Sequence, residues 1–414
     1  MKRRQVAITG MGVLSPLGLS VSEVAGALRV GTTGIELITV PRLPSQHVAG
    51  TVKGTFSERF SYIERPFLDR CHEMAVIAAG DAITDAGLGT FESFGSKAGV
   101  YYGNVNGGMA SLQNWFEESL LNGKHKSRPF TAMSIMANSG AAQIAIRHKI
   151  RGPVITHSSA CASSGVAIGE AMRAIADGYL DVAVTGGAEA PLSAALIAVF
   201  DGTRALSKPR IDDPGHSCRP FSKDRSGLVL GEGAAFLVLE AADLAERRGA
   251  KIHGYVRGYG VSCDAYHIGM PHSAGQIECL QSALEDAGVE AEEVGYINAH
   301  ATATEGGDVI EAAAIRGVFG DGPASAAVSS TKSVHGHLLG AASAMECLIT
   351  VVAMNESLLP ASGNIGVVDE RCSLNHVGEL PRTDCRIDLA VSFSCGFGGT
   401  NAALVLGTER SLSM

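Results

Sequence analysis

The stretch "PVITHSSACASSGVAIGEAM" at residues 153–172 and its echo "AAVSSTKSVHGHLLGAASAM" at 326–345 decide how the chain is organised. Each reads as a short apolar strand, a Ser-Ser pair, a polar turn and then a Gly- and Ala-rich helix. A fainter pair, "QVAITGMGVLSP" from Gln5 and "GYVRGYGVSCDA" from Gly254, reads as two strands that each open a half. Together they predict two related halves, residues 1–250 and 251–414, with both strand-to-helix turns facing one shared site.

Outward from these stretches, Val- and Ile-rich runs such as "SKAGVYYGN", "LDVAVTGG", "AAFLVLE" and "DLAVSFSCGFGG" alternate with helical patterns at 72–87, 165–178, 276–288, 308–320 and 340–356. Alternation of this kind predicts an α/β architecture with parallel strands covered on both faces. The 414 residues are 46% hydrophobic, 18% charged and only 5% aromatic, with 51 glycines, which suits tight helix–sheet packing. A net charge of −9 excludes a broad nucleic-acid footprint, so any basic docking patch has to be local. The opening "MKRRQVAITGMG" reads as a first strand and glycine turn rather than a signal peptide, and no apolar run is long enough to span a membrane. Nine scattered cysteines with no Cys-x-x-Cys pair fit neither a disulfide framework nor a zinc site, and point to the cytoplasm.

Chemistry-bearing residues gather at the ends of strands. Cys161 stands where a strand gives way to a helix, and the free N–H groups and positive dipole of a helix N-terminus lower a thiol's pKa and make it a nucleophile. "NAHATAT" (298–304) puts His300 at the end of a strand, followed by Thr302 and Thr304. "SSTKSVHGHLLGAA" (329–342) adds Lys332 and His337, with His335 as a companion. One thiol, two histidines and a lysine at strand ends mark a ligand crevice of an α/β fold. "SFSCGFGGTNAALVL" (392–406) is a glycine turn between two strands, and neither a P-loop nor a G-x-G-x-x-G fingerprint is present, so ATP and NAD are not indicated. The polar, proline-containing stretch 201–226 is long enough to be a functional loop.

Taken as a set, "VAITGMGVLSPLG", "GGAEA", "RPFSKDRSGLVLGEGAAFLVLE", "CDAYH", "SSTKSVHGHLLGAA" and "GFGGTN" resemble the β-ketoacyl-acyl-carrier-protein synthase family of the thiolase superfamily, over essentially the whole chain. The resemblance is closest to the elongating type II enzymes of fatty acid synthesis and their type II polyketide relatives. It implies a thiolase-like five-layer αβαβα fold of two pseudo-symmetric halves and a dimer across a continuous sheet. It implies Cys161 as the acyl-accepting nucleophile, and His300 and His337 as donors to the malonyl thioester oxygen during decarboxylation. Lys332 would order the histidines, with Glu346 as its ion-pair partner and Asp308 structural. The N–H groups of Cys161 and Phe397 would form the oxyanion hole, the Phe397 ring the gate, and Thr302 and Thr304 would bind the pantetheine arm. Met109 would lie near the acyl tunnel. No cofactor or metal is implied, since phosphopantetheine arrives on the carrier protein. For an acidic carrier protein, Arg204, Lys208, Arg210, Arg65 and Arg70 are the docking candidates.

Departures from the family pattern bear on substrate. The usual His-Gly-Thr-Ser-Thr is "HATAT" here: a methyl at Ala301 is expected to narrow the site, and Ala303 removes a hydroxyl. Cys395 replaces a phenylalanine of the gate turn. Two pathways therefore stay open, fatty acid elongation and a type II polyketide or aryl-polyene pathway in which the chain pairs with a chain-length-factor subunit instead of with itself. A non-condensing partner subunit is disfavoured because Cys161, His300, Lys332 and His337 are all present. A degradative thiolase is disfavoured by the His/His pair.

Overall fold

In the computed structural model, which describes residues 3–124, 129–322 and 324–413, the two halves share one sheet. The first half runs β1 (Val6–Leu14), α1 (Val21–Val30), β2 (Ile35–Ile38), β3 (His47–Gly50), α2 (Arg70–Asp85), β4 (Ala98–Gly103), α3 (Met109–Phe116), α4 (Thr131–Ile135), α5 (Ser139–His148), β5 (Val154–His157), α6 (Ser163–Ala176), β6 (Val182–Glu189), α7 (Ala194–Gly202), β7 (Leu230–Gly231), β8 (Gly233–Ala241) and α8 (Ala242–Arg247). The second runs β9 (Gly254–Cys263), α9 (Ser273–Ala287), β10 (Tyr296–Asn298), α10 (Glu305–Phe319), β11 (Ala327–Ser329), α11 (Lys332–His335), α12 (Ala342–Asn355), β12 (Leu389–Cys395) and β13 (Thr400–Gly407).

Strand order is β11-β10-β12-β13-β9-β1-β8-β6-β4-β5. Read outward from the β1–β9 joint, each half repeats one plan: β1, β8, β6, β4, β5 on one side and β9, β13, β12, β10, β11 on the other. The two faint sequence echoes are thus equivalent positions, the central strands β1 and β9 and the outermost strands β5 and β11 with their helices α6 and α12. The expectation of parallel strands is corrected. Among the described residues of this sheet, pairings are parallel only among β5, β4 and β6 and among β11, β10 and β12; β8 and β13 run antiparallel to their neighbours, as do β1 and β9 to each other. A periodicity reading cannot distinguish the two, because a strand buried on both faces is apolar throughout in either direction.

Glycine sets the spacing of the outer layers. A Cβ at Gly10 or Gly12 of β1 would lie 2.0 Å from a carbonyl oxygen of α2, and one at Gly258 or Gly260 of β9 would lie 2.5 or 2.1 Å from a carbonyl oxygen of α9. The "GMG" and "GYG" strands therefore let a helix lie directly on backbone. Between the halves lie α6 and α12; α12 is buried on every side from Ala342 to Met354, as a central-layer helix must be. A small sheet, β2-β3-β7, flanks this frame. Its β7 segment holds His337 in place, with Gly231 N–H donating to the His337 carbonyl at 2.9 Å and His337 N–H to that of Val229 at 2.7 Å. None of the described helices is long and apolar enough to cross a membrane.

Candidate active site

The turn between β5 and α6 presents the thiol. Ala160 is held at φ 49°, a left-handed conformation uncommon for a residue with a Cβ. Ser163 pins this bend by accepting from Ser159 N–H at 2.8 Å and donating to Ala160 C=O at 2.6 Å. Ser343 of α12 donates to the Cys161 carbonyl at 3.0 Å. Cys161 itself precedes the first helical residue by two positions and is buried. The expected lowering of its pKa is therefore reversed. Burial pushes the thiol up to about 11, opposed in part by the Lys332 charge and by the Phe397 N–H directed at the sulfur.

The second half supplies the imidazoles. His337 Nε2 lies 3.0 Å from Cys161 Sγ, and the His300 ring stands edge-on to that of His337 with centroids 5.3 Å apart. Lys332, wholly buried, meets the equally buried Glu346 carboxylate and has its Nζ 3.4 Å from His300 Nδ1. An ammonium can only donate, so Nδ1 accepts and the ring's remaining proton sits on Nε2. Desolvation, then the Lys332 charge, holds both imidazoles well below the usual histidine value, so both are neutral near pH 7. Burial raises Glu346 to about 7 against the pull of Lys332. His335 bonds Thr331 at 3.0 Å.

The remaining expected residues fall into three groups. Thr302 and Thr304 lie together, with hydroxyls 3.2 Å apart, at the entry to α10. Asp308 is buried there, accepting from Phe221 N–H at 2.8 Å and facing Arg225 at 3.8 Å, and desolvation raises it to about 6. Phe397 sits in the exposed turn between β12 and β13 with nearly half its surface open. Met109 begins α3 and lines a cavity of about 390 Å³ with Leu112, Phe116 and Leu121.

Of the docking candidates, Arg204, Lys208 and Arg65 are exposed, and Arg210 pairs with Asp224 at 2.7 Å. Arg70 is corrected: its guanidinium forks onto the buried Glu232 at 2.8 Å twice and onto the Val52 carbonyl, so it is tied into the fold. The narrowing expected from Ala301 is also corrected. Its methyl joins the apolar cluster containing Val328, Ile365 and Phe393, and Ala303, at φ 66°, joins that of Ile35, Val48 and Val229.

Three buried groups escaped the sequence reading. Glu311 accepts the N–H groups of His300 and Ala301, each at 2.6 Å, and so fixes the backbone that carries the imidazole. Burial raises its carboxyl to about 8. Glu189 gathers the N–H groups of Val105, Asn106 and Gly340 at 3.0, 3.1 and 3.2 Å. Arg225 clamps the 201–226 loop to the Thr304 and Glu305 carbonyls at 3.0 and 2.6 Å. For the two carboxylates the available signal was an acid within an otherwise apolar run, "VIEAAAI" and "TGGAEA", since a buried acid is almost always partnered; Arg225 carried no such signal.

Comparison with known proteins agrees with this geometry. Residues 3–245 match the model of the β-ketoacyl synthase N-terminal domain, and residues 253–366 that of the C-terminal domain. The chain is 38% identical over 413 residues to the 3-oxoacyl-[acyl-carrier-protein] synthase 2 of Coxiella burnetii, covering 98% of this chain and 99% of that one. The solved ishigamide ketosynthase/chain length factor superposes with a TM-score of 0.91 at 34% identity, covering 98% of this chain and 99% of its own. A type II polyketide ketosynthase, in complex with its acyl-carrier protein and bound to the hexaketide, superposes with a TM-score of 0.89 at 28% identity, covering 98% of this chain and 100% of its own. Fold, site and both matched domains lead to one conclusion: the chain belongs to the β-ketoacyl synthase family.

Proposed function

We propose that the chain is a 3-oxoacyl-acyl-carrier-protein synthase that extends an acyl group held on Cys161 by two carbons in fatty acid biosynthesis. The observation that carries this reading is the 3.0 Å contact between Cys161 Sγ and His337 Nε2, with the His300 ring beside it and the buried Lys332–Glu346 pair behind.

The chemistry divides into two halves. In the first, Cys161 sulfur attacks the acyl thioester of the carrier protein's phosphopantetheine. The thiol proton passes through His337 Nε2 to the leaving pantetheine sulfur, and the tetrahedral oxyanion rests on the N–H groups of Cys161 and Phe397. In the second, the carboxylate of malonyl-carrier protein leaves as carbon dioxide and its electron pair becomes an enolate. The Nε2–H of His300, and that of His337 once its ring proton has moved from Nδ1 to Nε2 in the acyl-enzyme, stabilise the enolate oxygen as charge develops there. The enolate carbon then attacks the Cys161 thioester, and the expelled thiolate takes up one proton from solvent, which balances the loss of the malonyl carboxylate as carbon dioxide. Pantetheine arrives on the carrier protein, its arm passing Thr302 and Thr304, and no resident cofactor or metal takes part.

An acidic carrier protein docks on the exposed Arg204, Lys208 and Arg65. The outer strand β5 pairs only with β4 among the described residues, and it exposes Val154 and Ile155 at 41% and 40%. An open apolar edge of this kind is completed by a second chain. The nine free cysteines fit a reducing cytoplasm.

A second reading is favoured by the similarity to the ishigamide ketosynthase/chain length factor: a ketosynthase of a type II polyketide or aryl-polyene pathway, with a chain-length-factor subunit on the β5 edge. Purified protein, alone, is mixed with malonyl-carrier protein and a ladder of saturated acyl-carrier thioesters. Two-carbon extension of medium or long saturated chains supports the fatty acid reading. Extension only of unsaturated or β-keto chains, or only after a partner subunit is added, supports the second.

A further inference from the structure

The three reacting atoms converge closely enough for a different use. Cys161, His300 and His337 each offer a ligand atom, these atoms lie within 4.8 Å of one another, and all three residues are buried. One thiolate and two imidazoles form the donor set of borderline-soft divalent metals, with Zn–S near 2.3 Å and Zn–N near 2.0–2.1 Å, so that neighbouring donor atoms stand about 3.5 Å apart. Reaching that spacing takes a small opening of the 3.0 Å His337–Cys161 contact and about 1 Å of closure by His300, movements on the scale of side-chain rotation. Three protein donors leave a fourth tetrahedral position for water, and the Phe397 turn, whose N–H is directed at the sulfur, is half exposed.

We propose that a zinc-class divalent cation captures this triad in the free enzyme and switches it off reversibly. The inference rests on the condensation reading above for its consequence, since the captured atoms are the ones that reading uses. Binding is written with its protons. Cys161 gives up its thiol proton and His300 its Nε2 proton to solvent, and Lys332 passes the proton of its hydrogen bond to Nδ1 while remaining bonded to Glu346. Two protons leave as one divalent cation enters, so the buried pocket stays neutral overall.

Two features set the strength and selectivity. A metal-bound imidazole ordinarily donates its other N–H to a carboxylate, carbonyl or water; here His300 Nδ1 meets no more than the Lys332 amine at 3.4 Å, and His337 Nδ1 is buried with no hydrogen-bond partner among the described residues. Missing outer partners of this kind typically weaken a metal site by about 10–100-fold, which makes this one a reversible trap rather than a structural site. Hard cations such as Mg²⁺, which prefer oxygen donors, are excluded by the same donor set. Acylation removes the sulfur as a thiolate ligand, so the loaded enzyme escapes capture.

Cobalt(II) is the probe, because a thiolate ligand gives it a charge-transfer band that surface carboxylates and histidines do not. Titrated into the full chain, Co²⁺ is expected to produce this band at one equivalent, with loss of the band in Cys161→Ala and after alkylation or acylation of Cys161. The band should survive in Cys263→Ser, which removes the exposed thiol. Zinc should displace the cobalt and block acylation of Cys161, a chelator should restore it, and Mg²⁺ should do neither. A band that persists in Cys161→Ala, or no band from folded wild-type protein, overturns the proposal. Condensation assayed in metal-free buffer on the same preparation separates the two inferences. Active enzyme with no band refutes the metal site alone, whereas a band in protein that never condenses refutes the proposed function.

Discussion

The ammonium of Lys332 lies 3.4 Å from Nδ1 of His300 and is held on its other side by the Glu346 carboxylate. This one contact sets the tautomer of His300 and hence which nitrogen can donate to an enolate. Lys332→Met should therefore lose decarboxylation of malonyl-carrier protein by a hundredfold or more, the order of magnitude for removal of one preorganised donor, about 10²–10³. Breaking one side of a buried ion pair also costs about 3–5 kcal/mol, so the double variant Lys332→Met/Glu346→Leu serves as the folded comparison. Carbon dioxide release and the mass of acyl-Cys161 are read together. Decarboxylation should be lost in both variants while acylation continues in the double one; equal loss of both steps would count against a role through His300.

A methyl group at Gly396 would stand 2.6 Å from the Ser159 carbonyl oxygen and 3.2 Å from the Ala160 Cβ, so the gate turn rests directly on the bend that carries the thiol. Gly396→Ala should slow acylation of Cys161 and cost about 1–3 kcal/mol of stability, the usual range for overpacking. Denaturant unfolding and the rate of acyl loading measure the two effects. Wild-type loading would show that the turn moves independently of the bend.

Charge reversal at Arg204 or Lys208 should raise KM for carrier-borne acyl groups by about tenfold at low salt and leave small-molecule thioesters unaffected. The difference should shrink as salt screens exposed charges beyond about 8–10 Å. Arg70→Ala should behave differently, lowering thermal stability through the stranded Glu232 without a salt-dependent KM. Steady-state kinetics across a salt series distinguish them.

Both catalytic-site imidazoles are held well below the ordinary histidine value by burial and by the nearby Lys332 charge, so they stay neutral as pH falls through 6.5 and charge only in stronger acid. Of the carboxyls next to the imidazoles, Glu346 is raised to about 7 and Glu311, which holds the His300 backbone, to about 8. In Glu346→Gln, decarboxylation should therefore show no inflection near 6.5, and any change left between pH 6 and 8 should belong to the Glu311 carboxyl at the upper end. A persisting inflection near 6.5 in that variant would mean that a histidine changes charge there.

What the sequence revealed and what it hid follow from range. The echo between 153–172 and 326–345 was legible because each copy is a local strand-turn-helix unit, and both units do face one site. Strand direction was not legible, because burial on both faces erases the alternation that would distinguish β8 and β13 from their parallel neighbours. Cys161, His300, Lys332 and His337 are legible because each lies in the segment that follows a strand, after β5, β10 and β11. Their electrostatics were not: the thiol's environment is set by burial against elements more than a hundred residues away, among them Phe397 and Lys332. Arg70 shows the same limit, since its partner Glu232 is 162 positions distant.

Mass spectrometry of the Cys161 peptide and of the products, after mixing purified protein with acyl-carrier and malonyl-carrier thioesters, tests the central claim most directly. The expected result is an acyl adduct on Cys161, a product longer by two carbons, and loss of both in Cys161→Ala. Extension that continues in Cys161→Ala, or wild-type turnover with no adduct on Cys161, would contradict it.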